Sequence, residues 1–418
     1  MSIRFRLIIM IFLQFAVWGG WLISLGGYLG GVLSFTGIQI GSFYATMGIA
    51  SLFMPGLMGI IADKWIPAQK LLGICHFLGG CFLLLAASQT GYATLYPMIL
   101  LAVIFYMPTI ALSNSVAFTA LEKNGLEPVK TFPPIRVFGT VGFICSMIAV
   151  DLVSINGVKL TASSYQLYFS AVLAFLLAFY SFTLPTCPVS SSKKSSSWIE
   201  ALGLRAFTLF KKRKMAIFFI FAMLLGFALQ ITNMFANPYL SNHFGNAELF
   251  PQYQDTFGVK HANILISLSQ ISETFCILLI PFFLRRFGIK KVMLISMLAW
   301  VFRFGLLGAG DPGAGVWMLI LSMIVYGVAF DFFNISGALF VEKETDISIR
   351  SSAQGVFMIM TNGFGAFFGS YIAGAVVQKI GWPHSWYIFA VYALAVTIVF
   401  SFVFKYKHEV KDEIRLIR

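Results

Sequence analysis

Residues 316–341 run Val316-Trp-Met-Leu-Ile-Leu-Ser-Met-Ile-Val-Tyr-Gly-Val-Ala-Phe-Asp331-Phe-Phe-Asn-Ile-Ser-Gly-Ala-Leu-Phe-Val341, with Asp331 as the single charged side chain. About 20 apolar residues at ~1.5 Å per residue cover a ~30 Å hydrocarbon core. Backbone groups in lipid have no water to bond, so such a stretch predicts a helix that satisfies them internally. Eleven further runs of this kind lie at 5–33, 40–61, 71–88, 94–120, 134–153, 165–185, 215–241, 262–284, 290–309, 351–377 and 385–404. The 418 residues are 59% hydrophobic and 11% charged, with 45 Phe and 37 Gly, and the mean hydropathy is +0.86. A soluble domain carries about 25% charged residues. A soluble enzyme, a secreted domain and a disordered chain are therefore excluded, and so is a β-barrel, whose strands would alternate. The expected fold is an all-α polytopic membrane protein with twelve transmembrane helices, the first retained rather than cleaved as a signal peptide.

The net charge of +13 comes from 29 Lys+Arg against 16 Asp+Glu. Its placement follows topology and gives no reason to expect nucleic acid as a partner. Twenty-four of these bases fall in the loops and ends on one side of the twelve runs, among them Arg4, Arg6, Lys64, Lys70, Arg285, Arg286, Lys290 and Lys291. Lys159, Lys260 and Lys379 fall on the other side. Basic residues stay cytoplasmic, so both termini are expected in the cytoplasm.

The polar, basic gap at 186–214 divides the chain into six-helix bundles at 1–185 and 215–404, with a tail at 405–418. Part of the gap, 198–210, reads either as an amphipathic surface helix or as a linker on anionic lipid. The halves echo one another: the turn Gly59-Ile-Ile-Ala-Asp63-Lys64 has a counterpart in Leu284-Arg285-Arg286-Phe-Gly-Ile-Lys290-Lys291. Repeats of this kind mark carriers that rock one half against the other around a midplane site. Gly27-x-x-x-Gly31 and Gly365-x-x-x-Gly369 read as close helix contacts. The five cysteines show no metal or disulfide spacing. No nucleotide-binding loop, nucleophile elbow or zinc-protease motif is present, so neither an enzyme nor a bound cofactor or metal is expected.

Polar residues at depth carry the function. Glu273 and Asp331 lie about 11 and 15 residues down their runs, near the midplane. There a carboxylate costs at least ~2.5–3.5 kcal/mol and calls for a partner or an aqueous cavity. Two readings stand: a proton-coupling pair facing one cavity, or structural ion pairs with Arg136 or Arg303. Arg303, near a helix end, reads as structural and free to snorkel. Gln230 with Asn233, Gln270 with Glu273, and Asp331 with Asn334 each sit three apart, sharing a helix face. Such amides serve either as interhelical glue or as ligand contacts. Arg136, Thr140 and Phe143 follow at helical spacing after Pro133-Pro134, a stripe suited to a polar ring compound. Arg136 also fits the alternative role of an interfacial anchor. Phe143 and Phe330 are candidates to stack on a planar ligand, and His76 reads as a satisfied core histidine.

The two-half arrangement resembles the major facilitator superfamily. Longer strings are more specific: Phe12-Leu-Gln-Phe-Ala-Val-Trp-Gly19, Phe53 to Trp65, Phe132-Pro-Pro-Ile-Arg-Val-Phe-Gly-Thr140, Leu229-Gln-Ile-Thr-Asn-Met-Phe235, Ser269-Gln-Ile-Ser-Glu-Thr274 and Met323 to Gly337. Through these, nearly the whole chain resembles the nucleoside:proton symporter family of that superfamily. The resemblance implies proton-driven uptake of nucleosides across a bacterial cytoplasmic membrane, and a monomer is expected. It also implies that Arg136, Thr140, Phe143, Gln230, Asn233, Gln270, Glu273, Phe330 and Asp331 bind substrate, to which Asn334 and Gln14 are added from depth and spacing alone. Ribose hydroxyls would donate to Glu273 or Asp331, which would also carry the proton, and the base would lie against Phe143 or Phe330. The rival readings are a proton-coupled sugar symporter of the same superfamily and a receptor that binds without transport.

Overall fold

The computed structural model of the protein describes residues 2–187, 204–345 and 350–406. Its helices are α1 (Ile3–Gly19), α2 (Leu25–Gly31), α3 (Gly37–Lys64), α4 (Ala68–Ala87), α5 (Tyr92–Lys123), α6 (Pro128–Leu152) and α7 (Tyr165–Ser181). They continue with α8 (Arg213–Pro238), α9 (Ala262–Ala309), α10 (Val316–Glu344), α11 (Arg350–Met358), α12 (Ala366–Ile380) and α13 (His384–Val403). A two-stranded hairpin, Ser154–Ile155 with Val158–Lys159, joins α6 to α7. Nine helices among the described residues are long and apolar enough to cross a membrane. The protein is thus an all-α polytopic membrane protein, as expected.

The helices depart from the apolar runs where backbone chemistry intervenes. Run 5–33 is broken: α1 ends at Gly19, a turn over 20–24 follows, and α2 restarts at Leu25. Runs 262–284 and 290–309 are joined in α9, whose two arms meet at Gly288. There φ is +75°, a value glycine adopts without the clash a Cβ would bring. Run 134–153 starts earlier than expected. Pro128 opens α6, so Pro133 and Pro134 lie inside the helix rather than at its first turn. Run 351–377 contains a π-helical stretch, Ile359–Gly365, between α11 and α12. Of the candidate surface helix at 198–210, residues 198–203 lie outside the described residues, and Leu204–Lys211 forms a 3-10 helix. Positions 188–203 of the basic gap and 407–418 of the tail also lie outside them.

Helix α1 packs on α6 and α7, and α4 packs on α5 and α7. Later in the chain, α9 packs on α10 and α13, and α8 on the π-helical stretch and α12. The segment before residue 187 meets the segment after 204 along a seam of small residues. A Cβ on Gly37 would fall 2.4 Å from the Gly374 carbonyl oxygen, and one on Gly41 would fall 2.4 Å from that of Ser370. A Cβ on Gly26 would fall 2.4 Å from the Met234 carbonyl oxygen, and one on Gly31 would fall 2.7 Å from Asn242 Oδ1. Real Cβ atoms do not come so near, so backbones meet here because side chains are missing. Hydrogen bonds cross at the same end: Asn242 Nδ2 donates to Gly27 O at 2.9 Å, and the Ile38 amide donates to Gln378 Oε1 at 3.1 Å.

Asp151 reinforces that closure from the end of α6. It lies 3.3 Å from Lys159 Nζ and 3.6 Å from His261 Nδ1, and it accepts from the Ile264 amide in the first turn of α9. A carboxylate there complements the positive end of the helix. The Lys159 ammonium also donates to Lys260 O.

Widening this seam should open this end of the molecule. Ser370→Cys, buried opposite Gly41, should react slowly with a water-soluble maleimide in detergent, and about tenfold faster once Gly37→Val props the seam apart. Equal labelling rates in the two backgrounds would contradict the packing described.

Candidate functional site

Glu273 and Asp331 are brought together where α9 and α10 pack close. A Cβ on Gly327 would fall 2.7 Å from the Ser272 carbonyl and 2.8 Å from Cys276 Sγ. Ser272 Oγ donates to Ile324 O across the same contact. Glu273 of α9 and Asp331 of α10 consequently act on one another electrostatically, and both act on Tyr326. Asp331 is 4% exposed, and its Oδ2 has no hydrogen-bond partner among the described residues. On α8, Gln230 is buried and its Oε1 is likewise unpaired. Two buried acceptors left open inside an apolar bundle cost about 1–3 kcal/mol each, a cost that a donor-bearing ligand would remove.

An aromatic stack precedes Asp331 on α10. Phe330 stacks on Tyr326 with centroids 5.7 Å apart and planes at 6°. Phe330 and Asn334 line a cavity with Leu225, Leu229, Trp300 and Phe333. Asn334 Nδ2 donates to Phe330 O within its own helix at 2.9 Å, which leaves its carbonyl oxygen available.

From the first segment, Arg136 of α6 comes within electrostatic range of Glu273. Its Cζ lies 4.0 Å over the Phe15 ring and it interacts electrostatically with Glu273. Gly139 makes room for it, since a Cβ there would fall 2.6 Å from Arg136 Nη1. The anchoring role for Arg136 is thereby displaced, as its guanidinium is turned inward and held by a cation–π contact. Phe143 meets Trp18 edge-on at 6.5 Å. Thr140, Asn233 and Glu273 are half-buried, and Gln270 is buried.

Three expectations are resolved by side-chain contacts. Neither carboxylate forms an ion pair with Arg136 or Arg303 among the described residues. Arg303 does not snorkel: it is fully buried and donates to Ser322 O at 2.7 Å, with Thr232 Oγ1 and Ser269 Oγ at 3.3 and 3.4 Å. His76 and Gln14 form a buried network, with His76 Nε2 2.8 Å from Gln14 Oε1 and Gln14 Nε2 donating to Thr109 Oγ1 at 2.7 Å. Gln14 is committed to that network rather than to a ligand. Thr232, Trp300 and Tyr326 were not legible as site neighbours. The signal for Thr232 lay in its position between Gln230 and Asn233.

The family described as Nucleoside H+ symporter matches residues 1–409. The chain belongs to this family. It is 51% identical over 416 residues to the xanthosine permease of Escherichia coli (strain K12), covering 98% of this chain and 97% of that protein. It is 48% identical over 415 residues to the nucleoside permease NupG of the same strain, with the same coverages. The crystal structure of nucleoside transporter NupG superposes with a TM-score of 0.89 at 47% identity, covering 97% of this chain and all of that one. A D-xylose-proton symporter structure matches at a TM-score of 0.70 and 14% identity, a likeness of fold alone. The protein is therefore a multi-pass membrane transporter of the major facilitator type and not an enzyme.

A carboxyl group buried with one oxygen unpaired weakens the fold that holds it. Asp331→Asn should raise the unfolding free energy by about 1 kcal/mol, read as a higher thermal midpoint in detergent. A lowered midpoint would show that the carboxylate is satisfied in the resting protein.

Proposed function

We propose that the protein is a proton-coupled nucleoside importer of a bacterial cytoplasmic membrane, working as a monomer with both termini in the cytoplasm. The observation that carries the reading is the pair of buried, unpaired acceptors, Asp331 Oδ2 and Gln230 Oε1, on helices that also present the flat Phe330–Tyr326 face. A nucleoside offers the complement: hydroxyl and N–H donors at one end and a planar base at the other. The stacked aromatic face favours that base over a free sugar.

In this reading Arg136, Thr140 and Phe143 form one wall of the site. Gln230, Asn233, Gln270, Glu273, Phe330, Asp331 and Asn334 form the other. Ribose hydroxyls donate to whichever of Asp331 and Glu273 is ionised, as charge-assisted hydrogen bonds, while the other carries the proton. Glu273 also feels the Arg136 charge, so a proton entering the pair alters the link between the two walls. The halves at 1–185 and 215–404 then rock about the site. The glycine seam lies at the end away from the basic loops, which the charge distribution assigns to the outside. The structure is thus read as closed outside and facing the cytoplasm. Proton uptake from outside favours loading, and proton release inside resets the carrier.

Proteoliposomes should accumulate labelled uridine or xanthosine under an inward proton gradient, with excess free ribose or xylose competing weakly. Asp331→Asn or Glu273→Gln should abolish accumulation against a gradient, and Phe330→Ala should cost about 1–3 kcal/mol of affinity, the worth of a stacked base. Strong competition by free sugars would favour the sugar symporter. Undiminished accumulation by both carboxylate variants would remove them from coupling.

A further inference from the structure

Arg303, on the second arm of α9, is the one described arginine with no exposure at all. Its charge is not matched by a carboxylate among the described residues. Instead the guanidinium spreads its donors over three other segments. Nε points to Thr232 Oγ1 of α8 at 3.3 Å. Nη1 points to Ser269 Oγ on the first arm of α9 at 3.4 Å and to Ser322 O of α10 at 2.7 Å. Ser322 Oγ returns a bond to Arg303 O at 2.9 Å. The Tyr326 ring covers the guanidinium with its centroid 4.5 Å from Cζ. A planar fork with five donors can bridge three helices at once, whereas an ammonium acts from a point.

The partners are not scattered. Thr232 lies between Gln230 and Asn233, Ser269 directly precedes Gln270 one turn before Glu273, and Tyr326 stacks flat on Phe330 one turn before Asp331. Each pair of candidate site residues in the second segment therefore sits on a helix segment that Arg303 contacts, through the Thr232 and Ser269 hydroxyls and the Ser322 carbonyl. Tyr326 is also within electrostatic reach of Arg303, Glu273 and Asp331 together. Nη2 has no partner among the described residues, so the cation is incompletely satisfied. That is costly for a residue whose only task is packing.

We propose that Arg303 is a positioning residue for substrate: it sets the register of α8, the first arm of α9 and α10, so that their amides and carboxylates converge on one ligand. The inference rests on the nucleoside-symport reading above. Arg303 touches no substrate in this role and acts through Thr232, Ser269 and Tyr326.

The test measures KM and kcat for labelled uridine and xanthosine in proteoliposomes, each normalised to folded transporter counted by size-exclusion chromatography. Arg303→Met should raise KM about tenfold while kcat per folded molecule stays within about threefold, and Arg303→Lys should restore part of the affinity. In a Gln230→Ala background the Arg303→Met penalty should shrink to about half, because one of the groups being positioned is gone. Should Arg303→Met fail to fold, Thr232→Val with Ser269→Ala removes two of the acceptors and should raise KM with the same loss of additivity. An unchanged KM with less folded protein, or an equal penalty in both backgrounds, overturns the role. If wild type accumulates neither nucleoside, the symport reading falls and this role with it. Wild-type uptake combined with unaltered KM values overturns the role of Arg303 alone.

Discussion

A charge or hydrogen-bonding group placed deep in a bilayer finds no water, and the rest of this structure is arranged around that constraint. Backbone groups answer it by closing into helices. Side chains answer it by pairing, as Gln14 does with His76 and Thr109, or Asn237 with Asn263 at 2.7 Å. The groups that remain incompletely paired stand out against this background. Asp331 Oδ2, Gln230 Oε1 and Arg303 Nη2 are among nine buried side-chain atoms without a partner in the described residues, and these three lie on the helices that carry the candidate site. Stability given up in one place is what a binding site for a polar ring compound requires.

Close backbone approach is the means by which this region is assembled. Gly327 lets α10 settle on Ser272 and Cys276, which brings Asp331 toward Glu273. Gly139 and Gly142 let α6 settle on α1, with a Cβ on Gly142 only 2.2 Å from the Phe12 carbonyl. Arg136 is thereby laid over Phe15. At the far end of the molecule the same device joins the two segments, with Gly37, Gly41 and Gly374 meeting backbone directly. Such contacts carry little side-chain interlock. A seam of this kind can part and re-form, as alternating access demands.

The apolar spans were legible in the sequence because lipid imposes its requirement on every segment separately. Apolar length alone locates α5 or α10, and counting along a run places Glu273 and Asp331 near the midplane. What one segment says about another was not legible. The turn over 20–24 and the junction at Gly288 depend on neighbouring packing, which overrides local propensity. Arg303 was misread for the same reason. Its distance from a helix end permitted snorkelling, but the face it occupies points at Thr232, Ser269 and Ser322. That face is fixed by three other segments, and no spacing within its own run records it. Arg136 was left between two roles, and spacing within its run did not record the Phe15 ring under its guanidinium.

The coupling assigned to the Glu273–Asp331 pair is tested most directly by substrate-driven proton movement. Uridine is added outside proteoliposomes that enclose a pH-sensitive dye, with no proton gradient imposed. Wild-type protein should acidify the lumen as uridine enters, and protein carrying both Asp331→Asn and Glu273→Gln should not. Uridine entry without acidification in wild type, or equal acidification by the double variant, would contradict proton coupling through this pair.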